Sequence, residues 1–332
     1  MILVTGGTGL VGMHLLLELT QENKPVRALF RSLDKVKGVE AFFAFAKAQT
    51  HFKTIHWVEA DITDVPSLTS AFKDITHVYH CAALISFDPY DFQKLLKTNV
   101  EGTANVVNLC LSHEVDKLCH LSSVATLSKL PDNPITEENV WDPNDNNSVY
   151  AISKYGAEME VWRATQEGLK AIIFNPAIIL GEGDYTKGSG ILIDRVLKEK
   201  SFFPKGGCGF IDVKDVVRLM IAGLSSDITK ERYILAGHNM PYKDILELMA
   251  QHLSKKPPKK PLSNGILKAL VIGDLLIGIY TRKRKFTRIG VASIQETSYY
   301  NSSKAKEQLS YIPTPIGKTL DRIKLHLSTK NQ

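Results

Sequence analysis

Cysteine is scarce: Cys81, Cys110, Cys119 and Cys208 are the only four in 332 residues. No two stand at C-x-x-C spacing and none joins a histidine at zinc-ligand spacing, so neither a metal centre nor a dithiol redox motif is expected. They read as reduced thiols of a cytoplasmic protein. Long apolar runs are missing too. No stretch of about 18 uninterrupted apolar residues exists, which argues against an obvious membrane span. Met1-Ile2-Leu3-Val4 runs straight into a glycine turn, leaving no room for the charged and apolar regions of a secretory leader. Internal repeats and low-complexity tracts are absent. Strong net charge is lacking as well. The total is +6, and between Lys255 and Arg288 ten Lys/Arg face the single acid Asp274. The rest of the chain has 31 basic and 34 acidic residues, so the basicity is local and no nucleic-acid partner is expected.

What is present is ordinary globular material, 44% hydrophobic and 23% charged, enough to bury a sizeable core without staples. Apolar runs at Ile2–Val4, Val26–Phe30, Thr54–Val58, His77–Cys81, Leu118–Ser122 and Ala171–Phe174 read as buried strands. Between them, Leu10–Glu22, Val39–Gln49, Ser67–Lys73, Phe92–His113 and Val149–Gln166 read as helices. Strands alternating with helices predict an α/β fold, a parallel sheet wound on both faces. The pattern changes near Gly181, where Gly181-Glu182-Gly183-Asp184 and Gly188-Ser189-Gly190 mark loops, and Lys255–Pro261 reads as a linker. The expected division is a nucleotide-binding domain over 1–180. A smaller, mostly helical, mainly substrate-binding domain follows over 181–332, with segments around 209–236 returning to the main sheet.

The first strand is followed by Gly6-Gly7-Thr8-Gly9-Leu10-Val11-Gly12. Gly6, Gly9 and Gly12 sit between a strand and an apolar helix, the context that gives such spacing meaning. Gly6 permits the tight turn, Gly9 lets the backbone approach a pyrophosphate, and Gly12 lets the helix pack on the strand. Thr8, Leu10 and Val11 complete a helix N-terminus whose N–H groups face the phosphates. The expected fold is therefore of Rossmann type. The second strand ends in Arg31-Ser32, with no acid before Asp34. Arg31 and Ser32 suit a 2′-phosphate, so NADP is the expected cofactor, with NAD as the alternative.

Tyr150 and Lys154 stand at i and i+4, sharing a helix face. The ammonium is expected to pull the phenol below its usual value of about 10, making Tyr150 a general acid or base. Ser122-Ser123 closes a strand at the end where open α/β sheets bind ligands. Ser123 is the expected partner of a substrate oxygen. A register that places Val124 there instead is set aside, because valine cannot donate a hydrogen bond.

With these motifs the chain resembles the extended short-chain dehydrogenases/reductases over nearly its whole length. The resemblance rests on Thr5-Gly6-x-x-Gly9-x-x-Gly12, Asp61-Ile62, Ala82-Ala83, Asn99 with Val100-Glu101-Gly102-Thr103, and Ser122-Ser123. It extends through Tyr150-x-x-x-Lys154, Asn175-Pro176 with Gly181, and Phe210-Ile211-Asp212-Val213-x-Asp215-Val216. The Arg31-Ser32 turn and the 300–306 stretch make it most similar to the dihydroflavonol-reductase-like and 3β-hydroxysteroid-dehydrogenase-like branch. The resemblance implies that Asp61 and Ile62 flank the adenine and that Ala82-Ala83 approach the central ribose and phosphates. It also implies that Asn99 supports the helix or a water relay beside Lys154, that Pro176 faces the carboxamide, and that Ser122 lies by the cofactor.

The leading expectation is an NAD(P)-dependent oxidoreductase interconverting a carbonyl and an alcohol on an apolar small molecule, with Tyr150 as general acid/base. The alternatives are a sugar-nucleotide epimerase or dehydratase with tightly bound NAD, whose diphosphate would need Arg195, Arg218 or Arg232, and a non-catalytic NADP-sensing protein. A small molecule is the expected partner, and a homodimer is left open. The mostly apolar 266–280 stretch and the basic run Arg282-Lys283-Arg284-Lys285 have two readings. The preferred one is a core or lid helix with the basic run solvated; the other is an interfacial helix on anionic lipid.

Overall fold

A computed structural model describes residues 1–129 and 134–330. Twelve strands are assigned among them. These are β1 Ile2–Thr5, β2 Val26–Phe30, β3 His56–Glu59, β4 His77–His80, β5 Lys117–Leu121, β6 Ala171–Pro176, β7 Ile178–Leu180, β8 Phe202–Phe203, β9 Gly207–Asp212, β10 Glu231–Leu235, β11 His238–Pro241 and β12 Lys260–Pro261. Seven of them form one sheet in the order β3-β2-β1-β4-β5-β6-β10. All six neighbouring pairs are parallel. Parallel strands covered on both faces need near-continuous apolar sequence, and β6 is buried along all six of its residues. The fold is the Rossmann-type α/β arrangement expected. Its strand order reverses between β1 and β4, and at such a point the strand ends open a crevice for a ligand.

Helices cover both faces. On one, Leu10–Gln21 packs beside Val213–Ser225, and their leucines, valines and methionines join one core. On the other, Gly102–Ser112 packs against Val149–Gln166 over a second core with Leu3, Val78 and Leu118.

Some boundaries differ from the sequence expectation. The second helix runs over Leu33–Phe45, not 39–49. Its first turns are mostly exposed, so the apolar period alone starts it late. It stops before Lys47, whose φ of +56° cannot continue a helix. The 92–113 segment is helical but carries a π turn over Leu96–Glu101. Of the segments near 209–236, β10 lies in the main sheet, whereas β9 pairs with β7 and β11 in a separate three-stranded sheet.

The largest departure is Asn264–Thr281. This helix was expected to be buried in protein, yet only Leu267 and Gly278 are buried. Ile272, Leu275, Leu276 and Ile279 are 47–63% exposed. The expectation rested on apolar sequence alone, and the helix lies outside the four hydrophobic cores.

Candidate active site

The glycine loop leaves β1 with Gly6 at φ +69°, the left-handed region that glycine occupies at no steric cost. A Cβ on Gly6 would lie 2.6 Å from the Ala82 amide nitrogen, just past β4. A Cβ on Gly12 would lie 2.2 Å from the Gly6 carbonyl oxygen. The two strand ends at the switch point thus meet with only backbone between them, and Leu10–Gln21 starts against the turn with its first N–H groups open. Thr8 is half-buried and Gly9 exposed, while Val11 and Gly12 are buried beneath them. This bare backbone cradle is what a pyrophosphate requires.

Thr5 and His80 brace the cradle from inside. Thr5 Oγ1 lies 2.7 Å from His80 Nδ1 and accepts from the Ala82 amide at 3.2 Å. His80 Nε2 meets Thr103 Oγ1 at 2.9 Å. Burial, helped by the Lys154 charge, pushes His80 down to about 3, so it braces as a neutral ring.

At the edge of the cleft Arg31 is exposed and pairs with Asp61 at 3.2 Å. Burial alone would raise the Asp61 carboxyl, but hydrogen bonds from Thr63 and then Arg31 outweigh it and hold the carboxyl low. Ser32 is half-buried at the start of the next helix. Ile62 is buried against Gly102, where a Cβ would lie 2.6 Å from its side chain.

Ser123, Tyr150 and Lys154 converge at the C-terminal end of β5. Tyr150 lies in the first turn of Val149–Gln166, whose N-cap Ser148 accepts from the Ala151 amide at 3.1 Å. The Tyr150 hydroxyl lies near the Ser123 side chain. Ser123 Oγ also accepts from the Ala125 amide at 3.1 Å, which fixes its direction. Lys154 is buried and donates to the Leu121 carbonyl at 2.9 Å. Burial pushes Lys154 down to about 8, against the pull of Glu158 and Cys81. The expected lowering of the phenol is not found. Burial pushes Tyr150 up to about 12, opposed only by the nearby Ser123 hydroxyl. The lysine is spent on a backbone carbonyl instead of the phenol.

Asn99 sits in the π turn and is buried. Its Nδ2 donates to Ser153 Oγ at 2.9 Å and to the Leu84 carbonyl at 3.0 Å, and its Oδ1 accepts from the Leu84 amide at 2.7 Å. It therefore ties the Ala82-Ala83 loop to the tyrosine helix. Pro176 ends β6, buried and paired in register with Leu235.

Ser122 faces away from the cleft. Its hydroxyl donates to Glu158 at 2.6 Å, so the side chain is taken up inside the protein rather than offered to a cofactor. Glu158 is fully buried and also accepts from Thr126 at 2.9 Å, Asn175 at 2.8 Å and Trp162 at 3.3 Å, with Arg232 at 3.4 Å. No role for Glu158 was read from the sequence. The available signal was its spacing, since Tyr150, Lys154 and Glu158 stand at i, i+4 and i+8 on one helix face.

The profile of the NAD dependent epimerase/dehydratase family matches residues 2–236. The chain belongs to that family. It is 26% identical over 330 residues to a Synechocystis sp. protein provisionally named a dihydroflavonol 4-reductase, covering 96% of this chain and 91% of that one. It is 24% identical over 318 residues to sterol demethylase protein B of Methylococcus capsulatus, covering 94% and 93%. In fold it matches the UDP-glucuronic acid 4-epimerase of Bacillus cereus, solved with UDP-glucuronic acid and NAD, at a TM-score of 0.78 and 18% identity over 99% of each chain. The chain is thus similar in sequence to a reductase-named protein and a sterol demethylase protein, and in fold to an epimerase.

Proposed function

We propose that this family member is a reductase or dehydrogenase that interconverts a carbonyl and an alcohol on an apolar small molecule, with NADP preferred over NAD. The observation that carries the reading is the meeting of Tyr150, Ser123 and buried Lys154 at one strand end, beside a cradle that a single Cβ would fill. When bound, the dinucleotide supplies a hydride donor or acceptor. Gly6, Thr8, Gly9, Leu10, Val11 and Gly12 would hold its pyrophosphate. Asp61, Ile62, Ala82 and Ala83 would line its adenosine side, with Arg31 and Ser32 on a 2′-phosphate and Lys154 and Pro176 at the nicotinamide end.

The protein's own part is proton management. Tyr150, protonated throughout the neutral range because burial raises it, donates its phenolic proton to the substrate oxygen in the reductive direction. Ser123 donates a hydrogen bond to that same oxygen and so fixes it beside the phenol. Lys154, held on the Leu121 carbonyl, fixes the inner wall of the site and would turn its remaining N–H groups to the nicotinamide ribose. Asn99 is a positioning residue for both walls.

Residues 181–332 mainly supply the substrate side. The rim is apolar: Phe87 and Tyr150 rings lie 5.4 Å apart, and Ile85 and Phe87 are half exposed. The epimerase alternative needs a cationic clamp for a diphosphate. The three candidate arginines are committed elsewhere: Arg195 to the Phe202 carbonyl, Arg218 to Asp215 and Thr314, and Arg232 to Glu158 and the Glu137 and Asn139 carbonyls.

The test is steady-state turnover of aldehyde, ketone and alcohol panels with NADPH and NADP, in wild type and Tyr150→Phe. Tyr150→Phe is expected to lower kcat on the order of 10²–10⁴-fold with NADPH affinity unchanged. Retention of most activity would remove Tyr150 from the mechanism. Stoichiometric NAD retained through purification, with no net redox turnover, would support the epimerase instead.

A further inference from the structure

The Asn264–Thr281 helix presents an unusual face. Ile272, Leu275, Leu276 and Ile279 stand at i, i+3, i+4 and i+7, a single stripe, and all four point to solvent. Ile277 and Tyr280 are also exposed, and Phe286 extends the surface past the helix end. A surface helix normally turns such a stripe inward. By length and composition alone the helix could cross a membrane. Its ends forbid that. Just before it, β12 pairs with β8, and Leu262 donates its amide to the Phe203 carbonyl at 2.8 Å. Just after it, the Arg284 amide donates to Asp88 at 2.9 Å, and the chain then returns to the body through Gly206, whose amide donates to the Ile294 carbonyl at 3.2 Å. Both ends are held by the same globular unit, so the helix lies along its surface.

The charge next to it has one sign. Asp274, the one acid between Lys255 and Arg288, is folded back on Arg284 at 2.8 Å and accepts from the Lys285 amide at 2.9 Å. Arg282, Lys283, Lys285 and Arg288 remain exposed, as does Lys268 within the helix. An apolar stripe rimmed by cations is complementary to an anionic bilayer, where acyl chains take the stripe and headgroups take the charges. A second copy of the chain would bring a second set of the same cations against the first.

The surface is continuous with the mouth of the site. Asp88, which holds the Arg284 amide, follows Phe87, and Phe87 packs on Tyr150. Ile85, Phe87 and Tyr90 on this loop are each more than half exposed.

We infer that the Asn264–Thr281 helix, its stripe Ile272, Leu275, Leu276 and Ile279, and the cations Arg282, Lys283, Lys285 and Arg288 dock the protein in-plane on an anionic lipid surface, with the rim of the site facing the bilayer. Docking stands apart from the reaction. Delivery of a lipid-soluble substrate through that rim rests on the reductase reading.

Flotation with vesicles of phosphatidylcholine alone, or of equal parts phosphatidylcholine and phosphatidylglycerol, tests docking. Wild type is expected to float with the anionic vesicles at physiological salt, to be released by high salt and to ignore the neutral ones. Arg282→Gln/Lys283→Gln/Lys285→Gln is expected to lower partitioning on the order of 100-fold, and Ile272→Gln/Leu276→Gln/Ile279→Gln by at least about as much. Both variants should keep the wild-type urea midpoint, since the altered side chains are exposed. Independently of these multiple variants, Tyr280→Trp should be quenched by brominated lipid in anionic vesicles. Failure of wild type to float, flotation of the stripe variant equal to wild type, or an unquenched Tyr280→Trp would overturn the proposal. So would a vesicle-free oligomer that the stripe variant dissociates in sedimentation velocity, because a second copy would then cover the helix. Flotation requires no turnover: a protein that floats but reduces no carbonyl would refute the reductase reading and leave docking intact.

Discussion

Ser122 and Ser123 are neighbours with opposite surroundings, and their substitutions should separate cleanly. Ser123 meets Tyr150 in the cleft, while Ser122 gives its hydroxyl to buried Glu158. Ser123→Ala removes a hydrogen bond to the reacting oxygen. It is expected to lower kcat on the order of 10²–10³-fold with an unchanged melting temperature. Ser122→Ala leaves a buried carboxylate short of one donor. It is expected to cost about 1–3 kcal/mol of stability with kcat little changed. Equal kinetic losses in the two variants would return Val124 to consideration as the residue at the catalytic position. Arg31 is a second case decided by one side chain. Its pair with Asp61 is exposed on the arginine side and half-buried on the other, and pairs so open to solvent are worth little, so the guanidinium can swing onto a 2′-phosphate. Arg31→Ala should raise the Kd for NADPH about 10–100-fold, the range of a hydrogen bond to a charged group, and leave NADH binding nearly unchanged. Equal loss of both cofactors, measured by fluorescence titration, would show that Arg31 does not select between them.

Helix Leu10–Gln21 and helix Leu33–Phe45 each contain a glycine, for different reasons. On Gly12 a Cβ would strike the Gly6 carbonyl at 2.2 Å, whereas a Cβ on Gly38 would meet none of the described residues beyond its own helix turn within 4 Å. Gly12→Ala must push the helix off the turn. It is expected to cost about 1–3 kcal/mol as overpacking and to abolish dinucleotide binding. Gly38→Ala should stabilise the protein by about 0.5–1 kcal/mol and leave binding alone. Urea melts and cofactor titrations of both variants check this, and equal behaviour would mean that the turn is not rigid. The same two helices mark what sequence can convey. The strand–glycine–helix register at residues 2–12 was legible because each step depends on local chemistry. The parallel sheet was legible because buried strands need unbroken apolar runs. The start of the 33–45 helix was hidden by its exposed first turns, and the π turn at 96–101 by the absence of any compositional marker. The direction of the Tyr150 shift was missed because spacing shows that Lys154 is near but not that its ammonium is spent on Leu121. The Glu158 network was invisible because its partners Ser122, Thr126, Asn175 and Arg232 come from three separated segments. The exposed 264–281 helix misled because apolar composition carries no information about what covers it.

Three histidines make the whole molecule sensitive to acid. His14, His80 and His120 are all buried. Burial is the main cause that lowers each of them, with His80 reaching about 3 and His120 falling well below its usual value. The Lys154 charge adds to the effect on His80 and His120. The unfolded chain takes up protons on these rings near pH 6.5, while the folded chain does not. Stability therefore falls as pH drops below about 6.5, and for His80 it continues to fall until about pH 3. Each group contributes about 1.4 kcal/mol per pH unit inside its window. Two or three acting together reach the scale of a domain's total stability, about 5–15 kcal/mol, within a few pH units. Carboxylates add their own effect only nearer pH 4, so the interval from pH 6.5 to 5 isolates the histidines. His120 is the ring to change. It stacks on His80 with centroids 5.2 Å apart, and among the described residues neither of its nitrogens has a hydrogen-bond partner. His80, by contrast, is bonded to Thr5 and Thr103. His120→Phe removes a buried polar group that gains nothing from its surroundings, so at pH 7.5 it should be neutral or stabilising. Between pH 6.5 and 5 its loss of stability should be shallower than that of wild type by about 1.4 kcal/mol per pH unit. Urea unfolding of both proteins at pH 7.5, 6 and 5 measures the two slopes, and parallel slopes would mean that His120 takes up its proton in the folded state as readily as in the unfolded one.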